Sequence, residues 1–209
     1  MEPLDIRLAD LTGRARIRHA AVRLFAAEGY AQTSLRSIAQ AAEVSLALIA
    51  HHFGSKHQLR DAVDKWVLAA FENAVGDIMS CADAESGEAL RQRFADHVGD
   101  ILRARPEIRA YLRRMAVVDG SSNGAILLGS VLALIRRVVE RAQPSCSERE
   151  LDEQSLHWLL LLFGPALLEP ILRRCMPASF AEMDATAAGP AGGVPQVRSN
   201  WVPRRIAGV

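Results

Sequence analysis

The feature that most constrains this fold is the helical spacing of apolar residues along almost the whole chain. The first stripe consists of Ile17, Ala20, Ala21, Leu24 and Phe25. Intervals of three and four residues place these side chains on one face of an α-helix, and Gly29 suits the end of that helix. The sequence contains no strand-like alternation of useful length. The pattern therefore predicts an all-α protein.

Caps and breaks divide the chain into eight predicted helices. They cover about residues 12–28, 35–42, 46–52, 56–82, 89–103, 106–118, 125–143 and 148–175. Ser34 and Ser45 are predicted N-caps, because a serine hydroxyl accepts hydrogen bonds from the free N–H groups of a first turn. Pro165 and Pro170 predict a kink or break in the last helix. Residues 186–209 are rich in Ala, Gly and Pro, which predicts disorder.

Composition limits the class of protein but not its partner. The 209 residues are 50% hydrophobic with a formal net charge of +1, which allows one sizeable core or a small head on a larger body. Three cysteines without a CxxC pair argue against a disulfide framework or a zinc site, and they fit a reducing cytoplasm. The N-terminus lacks a signal-peptide core, and the most apolar run, residues 159–168, is too short to span a bilayer. We therefore expect a cytoplasmic protein that has no membrane span, metal or cofactor.

Charge is distributed unevenly along the chain. Residues 1–60 carry a balance of +3, and residues 61–209 carry a balance of −2. Between Arg14 and Arg60 there are seven basic and two acidic residues. A basic head on a slightly acidic body is typical of nucleic-acid binders, although solvated helix faces often carry similar excesses.

Two short predicted helices joined by the dipeptide Glu43-Val44 follow a longer amphipathic helix. This order predicts a helix-turn-helix. The first two helices would form a platform through Phe25 and Ile38, and the small side chain of Ala39 would let the third helix pack closely across the second. The third helix then projects the side chains of its N-terminal end into the major groove of DNA.

The residues of this segment resemble a known family. Residues 21–30 read AVRLFAAEGY, residues 33–53 read TSLRSIAQAAEVSLALIAHHF, and the run continues GSKHQLRDAV. This is similar, without a gap over residues 14–63, to the N-terminal domain of TetR transcriptional regulators, whose pattern is about LFxxxGYxxTSxxxIAxxAGVSxGxLYxHFxSKxxL.

The resemblance implies an architecture and a function. It implies a three-helix DNA-binding domain at residues 1–55, a helical ligand-binding and dimerisation domain at 56–180, and a flexible tail at 181–209. The implied protein is a non-enzymatic, ligand-responsive repressor. It is expected to bind a palindromic operator in double-stranded DNA as a homodimer, and to bind a small-molecule effector.

Two residues depart from the family pattern. Glu43 stands where the family has glycine, and a left-handed conformation there would cost a non-glycine residue about 1 kcal/mol. Ala50 stands where the family often has a tyrosine that meets a phosphate. His51 or His52 is expected to replace part of that contact.

The resemblance also implies DNA contacts before and after the turn. Thr33 and Ser34 present hydroxyls and free N–H groups that suit a phosphate, or they serve only as N-caps. Arg36 is expected to reach a phosphate or a guanine edge, the alternative being a solvated charge. We expect the ammonium of Lys56 to contact a phosphate of the DNA. The alternative is that Lys56 is a surface lysine without a role in binding.

The third helix is unusually apolar for base reading. Its predicted contacts are Ser45, Leu46 and Ala47 at its start and His51 beside the DNA backbone. Leu46 and Ala47 suit thymine methyl groups, whereas Leu46 or Leu48 could instead be partly core. Ile49 is expected to be core outright, and His52 to pack inward.

The body offers candidates for ligand binding and dimerisation. Ligand-binding candidates are Trp66, His97, Tyr111, Met115, His157, Trp158 and Cys175, although such residues on apolar helix faces more often belong to a core or its rim. Predicted dimer contacts are Leu128, Val131, Leu132, Ile135 and Val139 with Leu156, Leu159, Leu160, Phe163 and Leu167, unless these faces serve the chain's own core.

Other functions are disfavoured by the sequence. No phosphate loop, GxSxG, HExxH or Cys/His cluster supports an enzyme. A helical interaction protein whose helix-turn-helix has lost DNA binding is a second alternative, motivated by Glu43 and Ala50. A regulator that activates transcription is a third.

Overall fold

The fold is all-α, as the apolar spacing predicts. The computed structural model describes residues 13–81, 86–118 and 122–175, and within these ranges it contains helices and no strand. The helices are α1 (Gly13–Glu28), α2 (Leu35–Ala42), α3 (Leu46–Phe53), α4 (Lys56–Cys81), α5 (Gly87–Ala104), α6 (Pro106–Arg113), α7 (Ser122–Ala142) and α8 (Glu148–Cys175). The residues predicted to form the tail, 181–209, lie outside the described ranges.

The predicted N-caps of the helix-turn-helix are confirmed. The Ser34 hydroxyl accepts a hydrogen bond from the N–H of Ser37 at 3.0 Å, and the Ser37 hydroxyl accepts one from the N–H of Ser34 at 3.1 Å, which completes a capping box. The Ser45 hydroxyl accepts from the N–H of Leu48 at 3.1 Å. Each cap fixes the direction in which its helix leaves the preceding turn.

The sixth predicted helix changes its winding near its C-terminal end. Residues 106–113 are α-helical, and Arg114–Val118 form one π-helical turn. A Cβ on Gly124 would lie 2.3 Å from the carbonyl oxygen of Met115, so only glycine lets the start of α7 approach this turn. The sequence gives no periodic signal that distinguishes such a turn from an ordinary helix end.

Helix α4 links the small head of the protein to its body. Leu59 and Val63 are fully buried, and α4 contacts α1 and α3 as well as α5 and α7. The residues of α1 to α8 up to Leu172 form one compact unit. The predicted domain boundary at residues 55–56 therefore falls at the start of a helix that packs against helices of the head and of the body.

The last helix is continuous. α8 runs through Pro165 and Pro170, so the proline positions do not break it. Packing favours the continuous helix, because Phe163 is buried with its ring centroid 5.4 Å from that of Phe71 on α4. In the described ranges, no helix has the length and apolar character needed to cross a membrane.

The predicted dimer face needs correction. Val131, Ile135, Val139 and Phe163 are at most 1% exposed and fill the chain's own core, so these side chains cannot face a partner. Helical periodicity identifies an apolar face without showing whether the chain itself covers it. The large apolar side chains that remain exposed on α7 and α8 are Ile126, Leu156, Leu160, Leu161 and Leu168.

Candidate nucleic-acid interface

Three helices form the scaffold of the interface. Phe25 of α1, Ile38 of α2 and Ile49 of α3 are at most 1% exposed and meet in one core. Ala39 is also buried, and α2 packs against α3. The core holds α3 firmly from behind, so its opposite face is presented to solvent.

The outward face of α3 is short and largely apolar. Leu46, Ala47 and His51 are exposed, and Leu46 retains 44% of its accessible surface. Leu48 is half-buried against the core, so of the two leucines it is the one that contributes more to packing. Ser34 and Arg36 are exposed at the N-terminal end of α2, and Ser45 is exposed at the N-terminal end of α3. The geometry therefore leaves six of the predicted DNA contacts accessible, and their contact with DNA stays a prediction.

Thr33 differs from the other predicted contacts. Its side chain is 1% exposed, and its hydroxyl donates a hydrogen bond to the carbonyl oxygen of Gly29 at 2.8 Å. The same carbonyl accepts from the N–H of Thr33 at 3.2 Å. Thr33 therefore closes the loop between α1 and α2, and its polar groups point away from solvent.

The turn of the helix-turn-helix has the left-handed conformation that the family's glycine suggests. Glu43 has φ 53° and ψ 48°, and it is the one described non-glycine residue with a positive φ. The N–H of Val44 donates to the carbonyl oxygen of Ala39 at 3.0 Å, which closes the turn. The turn therefore keeps its shape despite the missing glycine.

Arg16 supports this turn, a role that sequence reasoning missed. Its guanidinium donates to the carbonyl oxygens of Ala42 at 2.6 Å and Glu43 at 3.1 Å, and lies 3.5 Å from the Glu43 carboxylate. The C-terminal carbonyls of a helix lack partners within the helix, so a guanidinium satisfies them well. In the sequence, Arg16 is visible only as a basic residue off the apolar stripe, 26 residues before Ala42.

Lys56 lies half-buried beside the loop between α1 and α2. Its ammonium is 4.4 Å from the ring centroid of Tyr30, and the guanidinium of Arg60 lies at the same distance from that ring. The pKa of Lys56 is lowered, chiefly by burial and then by the charge of Arg60. The tyrosine thus holds two cations at the edge of the interface.

The predicted ligand-binding residues do not share one site. Tyr111 is fully buried, and its hydroxyl donates to the Asp64 carboxylate at 2.6 Å. Burial raises the pKa of Asp64, and the Tyr111 bond opposes that rise. Trp66 follows Asp64 by two residues on α4, which is a rotation of about 200° around the helix. The side chains of Trp66 and Asp64 therefore lie on different faces of α4.

The other candidates belong to the core or the surface. Met115 and Trp158 are at most 4% exposed, and Trp158 stacks on Phe94 with centroids 6.2 Å apart. His97 is partly buried, with Nδ1 2.9 Å from the carbonyl oxygen of Arg93. His157 and Cys175 are exposed. Ligand binding by any of these residues stays a prediction.

Known proteins match this chain in two ways. The family model described as "Bacterial regulatory proteins, tetR family" matches residues 17–63. The HTH-type transcriptional regulatory protein RaaS of Mycobacterium tuberculosis is 55% identical over 62 residues, which are 30% of this chain and 29% of the relative. The match therefore spans less than a third of the length of this relative.

Solved structures resemble a larger part of the chain. A TetR-like transcriptional regulator from Rhodococcus sp. RHA1 superposes with a TM-score of 0.60 at 19% identity, over 75% of this chain and 82% of that one. AibR, solved in complex with isovaleryl coenzyme A and operator DNA, superposes with a TM-score of 0.58 at 17% identity, over 74% and 86% of the two chains. Residues 17–63 therefore belong to the TetR family of bacterial regulatory proteins, and the chain has the fold of TetR-family regulators.

Proposed function

We propose that the protein is a cytoplasmic transcriptional repressor that binds a palindromic operator through α3 and is released by a small molecule. The observation that carries the proposal is the accessible face of α3 on a buried three-helix scaffold, within the segment that matches the family. Ser34 and Arg36 are exposed and Lys56 is half-buried, and we expect their polar groups to bind phosphates beside this face. The function requires no catalytic group.

The proposed assembly is a homodimer formed by α7 and α8. Leu156, Leu160 and Leu168 follow one another at intervals of four and eight residues, so they spread over about 120° of the exposed side of α8. They are 50%, 61% and 42% exposed, which is a large apolar surface for a water-exposed helix. Ile126, which is 67% exposed, adds an apolar side chain from α7 to this surface. A two-fold axis through this surface would bury both copies of each side chain and set the spacing of two α3 helices.

The proposed effector is an apolar or amphipathic molecule that enters the body among α4, α5 and α6. Support comes from AibR, a structural neighbour solved with isovaleryl coenzyme A and operator DNA together. In this chain, the Tyr111–Asp64 bond ties α6 to α4 at 2.6 Å. A ligand that separates these helices would tilt α4 and thereby move the head. To lower operator affinity tenfold, it must favour the released arrangement by about 1.4 kcal/mol.

Selection of random double-stranded DNA against the purified protein tests the DNA-binding function. We expect a palindromic consensus whose affinity, measured by fluorescence anisotropy, falls steeply with salt, because each phosphate contact releases counterions. A reporter gene controlled by that operator should be silent with the protein and active without it. Failure to enrich any sequence at low salt would instead support an interaction protein whose helix-turn-helix no longer binds DNA.

A further inference from the structure

A basic groove lies between α1 and α4, on a face of α4 other than that of Asp64. Its volume is about 550 Å³. The lining residues are Arg14, Arg18, His52, Phe53, Gln58, Asp61, Ala62, Lys65, Trp66 and Ala69. We call it the Trp66 groove. Three of its residues are basic and one is acidic, so its surface is positive while the whole chain is nearly neutral.

Trp66 contacts two arginines from distant parts of the chain, Arg18 in the lining of the groove and Arg105 outside that lining. The guanidinium carbon of Arg18 lies 5.2 Å from the indole centroid, and that of Arg105 lies 5.4 Å from it. Arg18 belongs to α1, whereas Arg105 forms the corner between α5 and α6. One cation from the head and one from the body therefore lie against the same indole ring.

The cations of this groove repel one another. The pKa of Arg18 is lowered, chiefly by burial and then by the charges of Arg14 and Arg105. Within the described ranges, none of Arg14, Arg18, Lys65 and Arg105 forms an ion pair. Asp61, the acid of the groove, lies 3.6 Å from His57 instead. An anion bound beside these cations would reduce their repulsion.

We propose that the Trp66 groove binds a phosphate-bearing small molecule, with its phosphate beside Arg18 in the lining and bound also by the side chain of Arg105, which lies on the same indole. Guanidinium groups bind phosphate oxygens through paired hydrogen bonds, and a multivalent anion neutralises more than one of them. The site differs from the apolar effector site in the body, because Trp66 and Asp64 lie on different faces of α4. It also differs from the Lys56 contact, since ten residues of helix separate Trp66 from Lys56 by about 15 Å.

Calorimetric titration of the full chain with inorganic pyrophosphate tests the site. At fixed ionic strength we expect saturable binding of one pyrophosphate per chain. Arg18→Gln and Arg105→Gln should each weaken it at least tenfold. Arg23→Gln is the matched control, because Arg23 is an exposed arginine on the same helix as Arg18 but outside the groove. Circular dichroism establishes that each variant is folded, and Arg105 at its helix corner provides a test that is independent of the α1 core.

A second arm distinguishes a free phosphate compound from the phosphates of DNA. The same variants are titrated with the selected operator. We expect Arg105→Gln to bind the operator within twofold of the parent while losing pyrophosphate. The proposal is wrong if the parent shows no saturable heat with pyrophosphate, or if all three variants bind it equally. It is also wrong if Arg18→Gln and Arg105→Gln lose operator affinity without losing pyrophosphate, since the groove would then serve the DNA backbone.

Discussion

Replacement of Glu43 by glycine should stabilise the protein. The left-handed conformation at φ 53° costs an L-residue about 1–2 kcal/mol relative to glycine. Glycine also gives the unfolded chain more conformational freedom, which reduces this gain in stability by about 0.4–1 kcal/mol. The lost ion pair with Arg16 is weak, about 0.5 kcal/mol, because its oxygen lies 3.5 Å away on a carboxylate that is 80% exposed. The net gain expected for Glu43→Gly is about 0.5 kcal/mol.

Glu43→Ala separates the backbone effect from the carboxylate effect. Alanine keeps the strain of the left-handed conformation and loses only the carboxylate. We expect the free energy of unfolding of Glu43→Ala to be about 0.5 kcal/mol lower than that of the parent. Glu43→Gly should therefore exceed Glu43→Ala by about 1 kcal/mol, a difference of about 2–4 °C in Tm for a chain of this size.

Arg16→Ala completes a double-mutant cycle. It removes two charge-assisted hydrogen bonds to the carbonyls of Ala42 and Glu43, which should cost about 1–2 kcal/mol at this partly exposed site. Because both acceptors are backbone groups, the cost of Arg16→Ala should change by about 0.5 kcal/mol or less in the Glu43→Ala background.

Urea unfolding followed by circular dichroism measures the parent and the four variants at one protein concentration, since the proposed dimerisation would make apparent stability concentration-dependent. The reasoning about backbone strain is refuted if Glu43→Gly is no more stable than Glu43→Ala. The assignment of Arg16 to the carbonyls is refuted if its cost disappears once the Glu43 carboxylate is removed.

Three further predictions concern DNA binding, assembly and pH. Lys56→Ala should weaken binding about equally for all DNA sequences and reduce the slope of log affinity against log salt by about one, and an unchanged slope in anisotropy titrations would contradict a phosphate contact. Leu160→Glu should yield monomers in sedimentation, because Leu160 is 61% exposed on the proposed dimer face, whereas the control Ala27→Glu on exposed α1 surface should leave assembly as in the parent. Burial raises the pKa of Asp64, so its protonated form favours the folded state, and the associated stability is lost as pH rises from about 3.8 through the folded pKa. Asp64→Asn should therefore raise Tm at pH 7 with a benefit that shrinks toward acid pH, and a Tm difference that is independent of pH would contradict this.

The head of the protein was predictable because its local signals agree with its packing. Ser34 and Ser45 mark helix starts, and the burial of Phe25, Ile38 and Ile49 follows from the apolar spacing. The left-handed turn at Glu43 was also foreseeable, because the family that this segment resembles has glycine at that position. Local signals of this kind need only a few neighbouring residues to act.

The body was less predictable because its contacts connect residues that are far apart in sequence. The apolar stripe on α7 gives no indication that Val131 and Ile135 face inward, since a dimer face and a core face have the same periodicity. The pairing of Arg18 with Arg105 around Trp66 joins three elements and leaves no local trace. Burial of Thr33 likewise depends on how its loop folds back on Gly29.

The contacts that attach the head to the body suggest how a signal passes between them. Arg114, in the π-helical turn after α6, donates to the carbonyl oxygens of Ala27 at 3.2 Å and Glu28 at 2.9 Å, at the end of α1. A Cβ on Gly29 would lie 2.6 Å from this guanidinium, so the residue that ends α1 also makes room for the contact. Hydrogen bonds to backbone carbonyls transmit displacement directly, because those carbonyls cannot move without the helix. A displacement of the π-helical turn would therefore act on the end of α1 through Arg114. Arg16 connects α1 to the turn before α3, so these two arginines are the contacts through which a change in the body would reach the proposed DNA-binding helix.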